Sequence, residues 1–264
     1  MDKKKIILIS FVVILLFALI ILAYLFFYNY TLKKNFENDI LDFANKNETQ
    51  IFKINDITFF SNCDAKNKTS SASNFTIENL YQYTDIAIFL KTNSDLSMQN
   101  TLKKVTISNI QFVNLPALGQ PKLYFKSLNL FAKSDIIEEN EITNNFDFNI
   151  SSLDEADLST PTLYNNLANP ITLSYVNSNI KTDYTLTDTS SPITYDSSLL
   201  KRCNVLLDDI SSKLSFDIFI TNNLDEEFKT TVYIDIPLSD GGKSIYDGAI
   251  TKKEKVNYAF YRYK

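Results

Sequence analysis

The sequence contains no histidine and no tryptophan, and its 264 residues include only four glycines and two cysteines. Each scarcity removes a class of chemistry. Without histidine there is no Ser–His–Asp triad, no Cys–His pair and no imidazole metal ligand. The glycines stand at 119, 241, 242 and 248, so neither a phosphate-binding loop nor a dinucleotide fingerprint can be written. Two cysteines are too few for a zinc site of the usual Cys/His kind. No cofactor and no catalytic set is therefore expected. What the chain does have is one long apolar run, many aromatic and β-branched residues, and an excess of acid.

The apolar run extends from Ile6 to Tyr28, is interrupted only by Ser10 and carries no charge. At about 1.5 Å per residue it makes a helix of roughly 35 Å, enough to cross a bilayer core of about 30 Å. A secretory signal peptide has a shorter apolar region and a small-residue cleavage site. This run instead leaves through Leu25, Phe26, Phe27, Tyr28 and Tyr30, so an uncleaved anchor is expected. Lys3, Lys4 and Lys5 precede it, and Lys33 and Lys34 follow. The basic bias favours a cytoplasmic N-terminus at 1–5, a transmembrane helix at 6–28 and an extracytoplasmic remainder. Leu32, Phe36, Ile40 and Phe43 continue the helical spacing, which predicts a stalk helix and linker over 29–50.

The whole chain has 26 basic and 31 acidic residues. Setting aside Asp2 and the five flanking lysines leaves 21 basic and 30 acidic, a net −9 for the remainder. An acidic domain binds phosphate backbones poorly, which argues against a nucleic-acid partner.

From residue 51 the hydrophobic period changes from helical spacing to two. Segments 51–60, 85–92, 105–112, 123–125, 146–150, 171–176, 184–187, 214–220, 230–236 and 256–263 read as strands with one buried face. Short strands separated by Asn, Asp, Ser and Pro turns predict an antiparallel β-sandwich, Ig-like or jelly-roll-like, over 51–264. LSFDIFI and TTVYIDI around Asn222–Glu227 form the clearest hairpin. Two helical stretches are expected as well: one from Ser197 or Ser198 with Leu199, Cys203, Leu206 and Ile210 on one face, and a single turn at 79–83. The polar stretches 61–74 and 135–145 read as loops.

Several groups of side chains could carry chemistry. The acidic clusters Glu138/Glu139/Glu141, Asp154/Glu155/Asp157, Asp208/Asp209 and Asp225/Glu226/Glu227 contain the oxygens of a Ca²⁺ site or a glycosidase pair, though none follows the EF-hand spacing. Solvated turns are the reading expected for them. Cys63 and Cys203 lie in the exported part. A disulfide between them would close a loop of roughly 140 residues, worth about 5 kcal/mol. Their surroundings differ, however: one sits in a polar stretch and the other on an apolar face, so two separate thiols is the alternative. Ser198-x-x-Lys201 matches the first penicillin-binding motif, but S-D-N and K-T-G are missing. Tyr81, Tyr83, Tyr164, Tyr175 and Tyr195 could stack on sugars or a partner, or fill strands.

The 28 asparagines, together with abundant Lys and Ile, suggest an AT-rich bacterial genome, so the Asn67-Lys-Thr69 sequon carries no weight. Three stretches, NFTIENLYQYTDIAIFL (74–90), TPTLYNNLANPITLSYVN (160–177) and TDTSSPITYDSSLLKRCN (187–204), resemble uncharacterised single-pass envelope proteins of clostridia-like bacteria. The resemblance implies a bacterial envelope setting and brings no activity. Anchor, stalk and β domain together point to a structural or interaction module that docks another envelope protein or a surface polymer. The alternatives are a glycan-acting enzyme with paired carboxylates and a Ca²⁺- or ligand-sensing domain.

Overall fold

A computed structural model describes residues 3–45, 51–71, 74–92, 100–152, 157, 159–186 and 198–263. The chain forms two compact units, Met1–Thr49 and Gln50–Lys264. The first is one unbroken helix, α1 (Lys3–Asn45), in which the expected anchor and stalk are continuous. Its stretch Phe11–Glu37 has a mean hydropathy of 3.0 and no burial, so it is long and apolar enough to cross a membrane. Thr31 donates its hydroxyl to the Phe27 carbonyl at 2.8 Å, which satisfies a polar group inside the apolar stretch.

The second unit is built of strands: β1 (Phe52–Ser71), β2 (Asn74–Thr92), β3 (Leu102–Asn114), β4 (Gln120–Phe125), β5 (Phe146–Ser151), β6 (Thr162–Tyr164), β7 (Ile171–Leu186), β8 (Ser212–Asn222), β9 (Glu227–Ile236), β10 (Ser239–Asp240), β11 (Lys243–Ser244), β12 (Ile250–Ala259) and β13 (Tyr261–Arg262). One sheet runs β12-β1-β2-β7-β4 and the other β13-β9-β8-β3-β5-β6, with β10-β11 a small ribbon. Pairing is antiparallel except between β5 and β6. The expected antiparallel sandwich is what forms.

Alternation supplies the core. Phe52, Ile54, Ile57 and Phe59 of β1 lie in one cluster with Leu214, Phe216, Ile218 and Ile220 of β8. Three ring pairs join the sheets edge to face: Phe52 with Phe228 at 5.4 Å, Tyr175 with Phe112 at 6.0 Å, and Phe125 with Phe148 at 6.1 Å. Each such pair adds about 0.5–1.5 kcal/mol beyond the area it buries. The chain passes from one sheet to the other at Phe260, which is buried and donates its N–H to the Phe52 carbonyl.

The structure corrects three expectations. In the polar stretch 61–74 the expected loop gives way to strand at 61–71 and at Asn74, residues 72–73 lying outside the described residues: β1 continues through Ser71 and pairs with β2 down to Ser71↔Asn74. Its period of two was hidden because small and polar residues occupy it, yet Ser61 and Cys63 are fully buried. The expected turn at 79–83 belongs to β2, with Leu80 and Gln82 on one face and Tyr81 and Tyr83 on the other.

The third correction concerns the helix at 198–210, which is short. α2 (Ser198–Arg202) ends because Asn204 takes the left-handed conformation at φ 53°. The Val205 N–H then bonds the Leu200 carbonyl, and the Asn204 N–H bonds that of Lys201, which is a Schellman stop. Leu199, Cys203 and Ile210 are buried as expected, while Leu206 is left exposed.

Candidate functional site

The sequence-derived candidates are scattered over the fold. Cys63 lies on β1 and Cys203 just after α2. Both are buried, and no disulfide joins them. Burial pushes the Cys203 thiol up to about 11, against the pull of Lys181 and Arg202, so it is an unreactive thiol rather than a thiolate.

Members of two of the acidic clusters pair with basic side chains. Glu141 accepts from Lys122 at 2.7 Å, Asp225 pairs with Lys103, and Glu226 pairs with Arg262 at 3.0 Å. Asp208 and Asp209 form one 3₁₀ turn, and residues 154–156 lie outside the described residues. Among the described residues no group of three metal-type ligands converges. Tyr175 is a core residue. Tyr164 ends the short edge strand β6, and Tyr195 lies outside the described residues. Ser198 and Lys201 share α2 and have no motif partners.

The structure does assemble a polar centre elsewhere, on the face of the β12-β1-β2-β7-β4 sheet that points away from β8. Register explains it. Asp85 of β2 stands opposite Ser174 of β7, which stands opposite Tyr124 of β4. Lys126 is two residues beyond Tyr124, so it shares that face and reaches back across Ser174. Its Nζ donates to Asp85 Oδ1 at 2.9 Å, and Ser174 Oγ donates to the same oxygen at 2.7 Å. Asp85 Oδ2 accepts the Ala132 backbone N–H at 2.7 Å. Lys126 Nζ also donates to the Lys133 carbonyl and lies 4.8 Å from the centre of the Tyr83 ring.

A strap covers this centre. After β4 the chain turns back over the sheet through residues 126–142. It is fastened by Ile142 N–H on the Leu123 carbonyl, the Tyr124 hydroxyl on Glu138 and the Tyr81 hydroxyl on the Ser134 carbonyl. Tyr83, Tyr124 and Val176 form a second apolar cluster beneath it, with Phe60, Tyr81 and Ile136 against them. Asp85 is 0% exposed and Lys126 3%. Burial raises the Asp85 carboxyl above its usual range and lowers the Lys126 amine below its own, while each group's attraction for the other opposes both shifts. Burial thus favours the neutral acid and neutral amine. Beside them, lined by Lys126, Ser174, Tyr124 and Asp135, is a cavity of about 10 Å³, the room one water needs.

Sequence reasoning missed this pair. The available signal was an acid and a base each set within an apolar run, Asp85 in YTDIAIFL and Lys126 after LYF. On a sheet with one solvated face both would be surface charges. The strap that covers that face has no periodic pattern to announce it.

Fold and site together define a class: a two-sheet β domain with a buried acid–amine centre, on a chain that, among the described residues, carries one helix of membrane-spanning length. No protein-family model, no curated protein and no solved structure matches this chain.

Proposed function

We propose that this is a membrane-tethered interaction module of a bacterial cell envelope. Its N-terminus is cytoplasmic, its β domain lies outside the membrane, and it docks another envelope protein or a surface polymer without catalysis. The observation that carries this reading is the outer face of the β9-β8 sheet. Tyr233, Tyr261 and Tyr263 are exposed there, and Phe219 is half-buried with the Tyr263 ring 5.5 Å away. Lys213 and Lys229 lie over the Tyr233 and Phe219 rings. Amphipathic rings interleaved with amines supply stacking area and hydrogen bonds at little entropy cost, as recognition surfaces do.

The sheet edges, by contrast, are blunted. β13 and β6 are two and three residues long, Pro121 sits on the edge strand β4, and β12 carries Lys252, Lys253 and Lys255. Such edges resist pairing with another strand, which favours a face as the surface for a partner.

The test is cross-linking of tagged full-length protein in its own cells, followed by mass spectrometry. Specific envelope partners are expected, with recovery reduced in a Tyr233→Ser/Tyr261→Ser/Tyr263→Ser chain that still folds. Equal recovery from both chains would remove this face from the proposal.

A further inference from the structure

The Asp85–Lys126 centre brings an acid and an amine into contact out of water and supplies every group that a condensation between them needs. We infer that the two side chains join covalently, the Lys126 Nζ forming an amide with the Asp85 carboxyl carbon and releasing one water.

The geometry sets out the steps. The 2.9 Å hydrogen bond from Nζ to Oδ1 is the path by which the ammonium gives its first proton to the carboxylate, converting an ion pair into a neutral pair. Burial favours that direction, since it costs more to keep two charges than two dipoles in a low-dielectric site. The neutral amine then attacks the carboxyl carbon, and negative charge develops on Oδ2. The Ala132 N–H, 2.7 Å from Oδ2, is already aimed at that charge and needs no reorganisation to stabilise it. Ala132 holds a left-handed φ of 64°, an uncommon conformation for a residue with a Cβ.

The departing oxygen is Oδ1, which Ser174 Oγ holds at 2.7 Å. It takes a second proton from Nζ as the C–Oδ1 bond breaks. The ammonium thus loses two protons, the oxygen gains two, and one water leaves. Charge is conserved, and no oxidant or co-reactant is required. The adjoining cavity, lined by Lys126 and Ser174, is of the size to receive that water. The Tyr83 ring beneath Nζ is a positioning group that keeps the amine over the carboxyl. Holding the reacting groups in contact replaces an encounter in solution and makes the step effectively unimolecular.

The experiment is an intact-mass measurement on purified full-length chain in detergent, followed by trypsin digestion and tandem mass spectrometry. The expected mass is that of the sequence less one water. Trypsin fails to cut after Lys126, and a branched peptide joins 69–91 to 123–133. The Lys126→Arg and Ser174→Ala chains test the same step in two ways: the arginine chain returns to full mass, and the alanine chain acquires the bond more slowly. An unmodified mass for the folded wild-type chain overturns the inference. So does a missing water that maps to any other pair of residues, or one that persists in Lys126→Arg.

Discussion

A buried acid–amine pair is weak evidence of stability by itself, because the cost of desolvating both groups can match their attraction. What it does impose is mutual dependence. Removing the amine by Lys126→Met leaves a fully buried carboxyl, still bonded to Ser174 and Ala132 but with no cation. Unfolding of this variant in denaturant is expected to show a loss of at least about 3–5 kcal/mol, the cost of leaving one buried charge unpaired, to which loss of the inferred amide adds. The double variant Asp85→Leu/Lys126→Met, which puts apolar groups in both places, is expected to lose less than the single one. A double variant as weak as the sum of its parts would show that the two residues act independently.

Asp217 obeys the opposite rule. Burial would raise its carboxyl, but hydrogen bonds from Asn109, Lys229 and Thr231 outweigh burial and hold it below the usual range. A carboxyl depressed in the folded state contributes stability above the unfolded value near 3.9 and loses it as the pH falls through its folded value. The Thr231→Val chain removes one donor, 2.6 Å from Asp217 Oδ1. Its deficit against wild type is therefore expected at neutral pH and should shrink in acid below pH 4. A deficit independent of pH would mean that the hydroxyl acts by packing alone.

At the scale of elements, the connection from β3 to β4 turns on Gly119. Its φ is +95°, and a Cβ placed there would lie 2.1 Å from Asn177 Oδ1, on a side chain that is fully buried and donates to the Leu118 carbonyl at 2.9 Å. Gly242 also has a positive φ, of +81°, but open space around it. Gly119→Ala is thus expected to cost at least about 2 kcal/mol and Gly242→Ala about 1 kcal/mol, as read from midpoint shifts in denaturant. Equal costs would leave the contact with Asn177 without consequence.

The same scale shows what could be read from residues in order. LSFDIFI and TTVYIDI read as a hairpin because alternation and a polar loop coincide there, and they pair as β8 and β9 from Ser212↔Ile236 to Thr221↔Glu227. The loop could not be read in advance, because it depends on the Asn222 side-chain Oδ1 accepting both the Leu224 and Glu226 N–H groups. Alternation failed wherever a polar residue faces inward. Ser61, Gln82 and Asn177 are all fully buried, and inward polar positions like these made 61–74 look like a loop. The Asp85–Lys126 centre was illegible for a further reason: register across three strands brings it together, and register is a property of pairing that no single segment carries.

At the scale of the whole molecule, α1 gives a direct prediction. A chain lacking residues 1–34 is expected in the soluble fraction of lysed cells and the full chain with the membranes. Co-sedimentation of both would assign membrane attachment to the β domain instead. With the proposed orientation, a C-terminal tag on intact cells or protoplasts is open to added protease, and its full protection would reverse the topology.

The order of the strands also sets a schedule. β1, the first strand after the helix, is flanked on one side by β2 and on the other by β12, with Phe60 opposite Thr251. Its second neighbour, β12, begins only at Ile250, far along the chain from Ser71. At about 5–20 residues per second, roughly 10–40 s of elongation separates the two. Throughout that interval the nascent domain presents an open strand edge, and Phe260, which closes the seam between the sheets, has yet to arrive. A chain that stops between β1 and β12 therefore keeps an unpaired strand border, an edge of the kind that invites pairing with other chains.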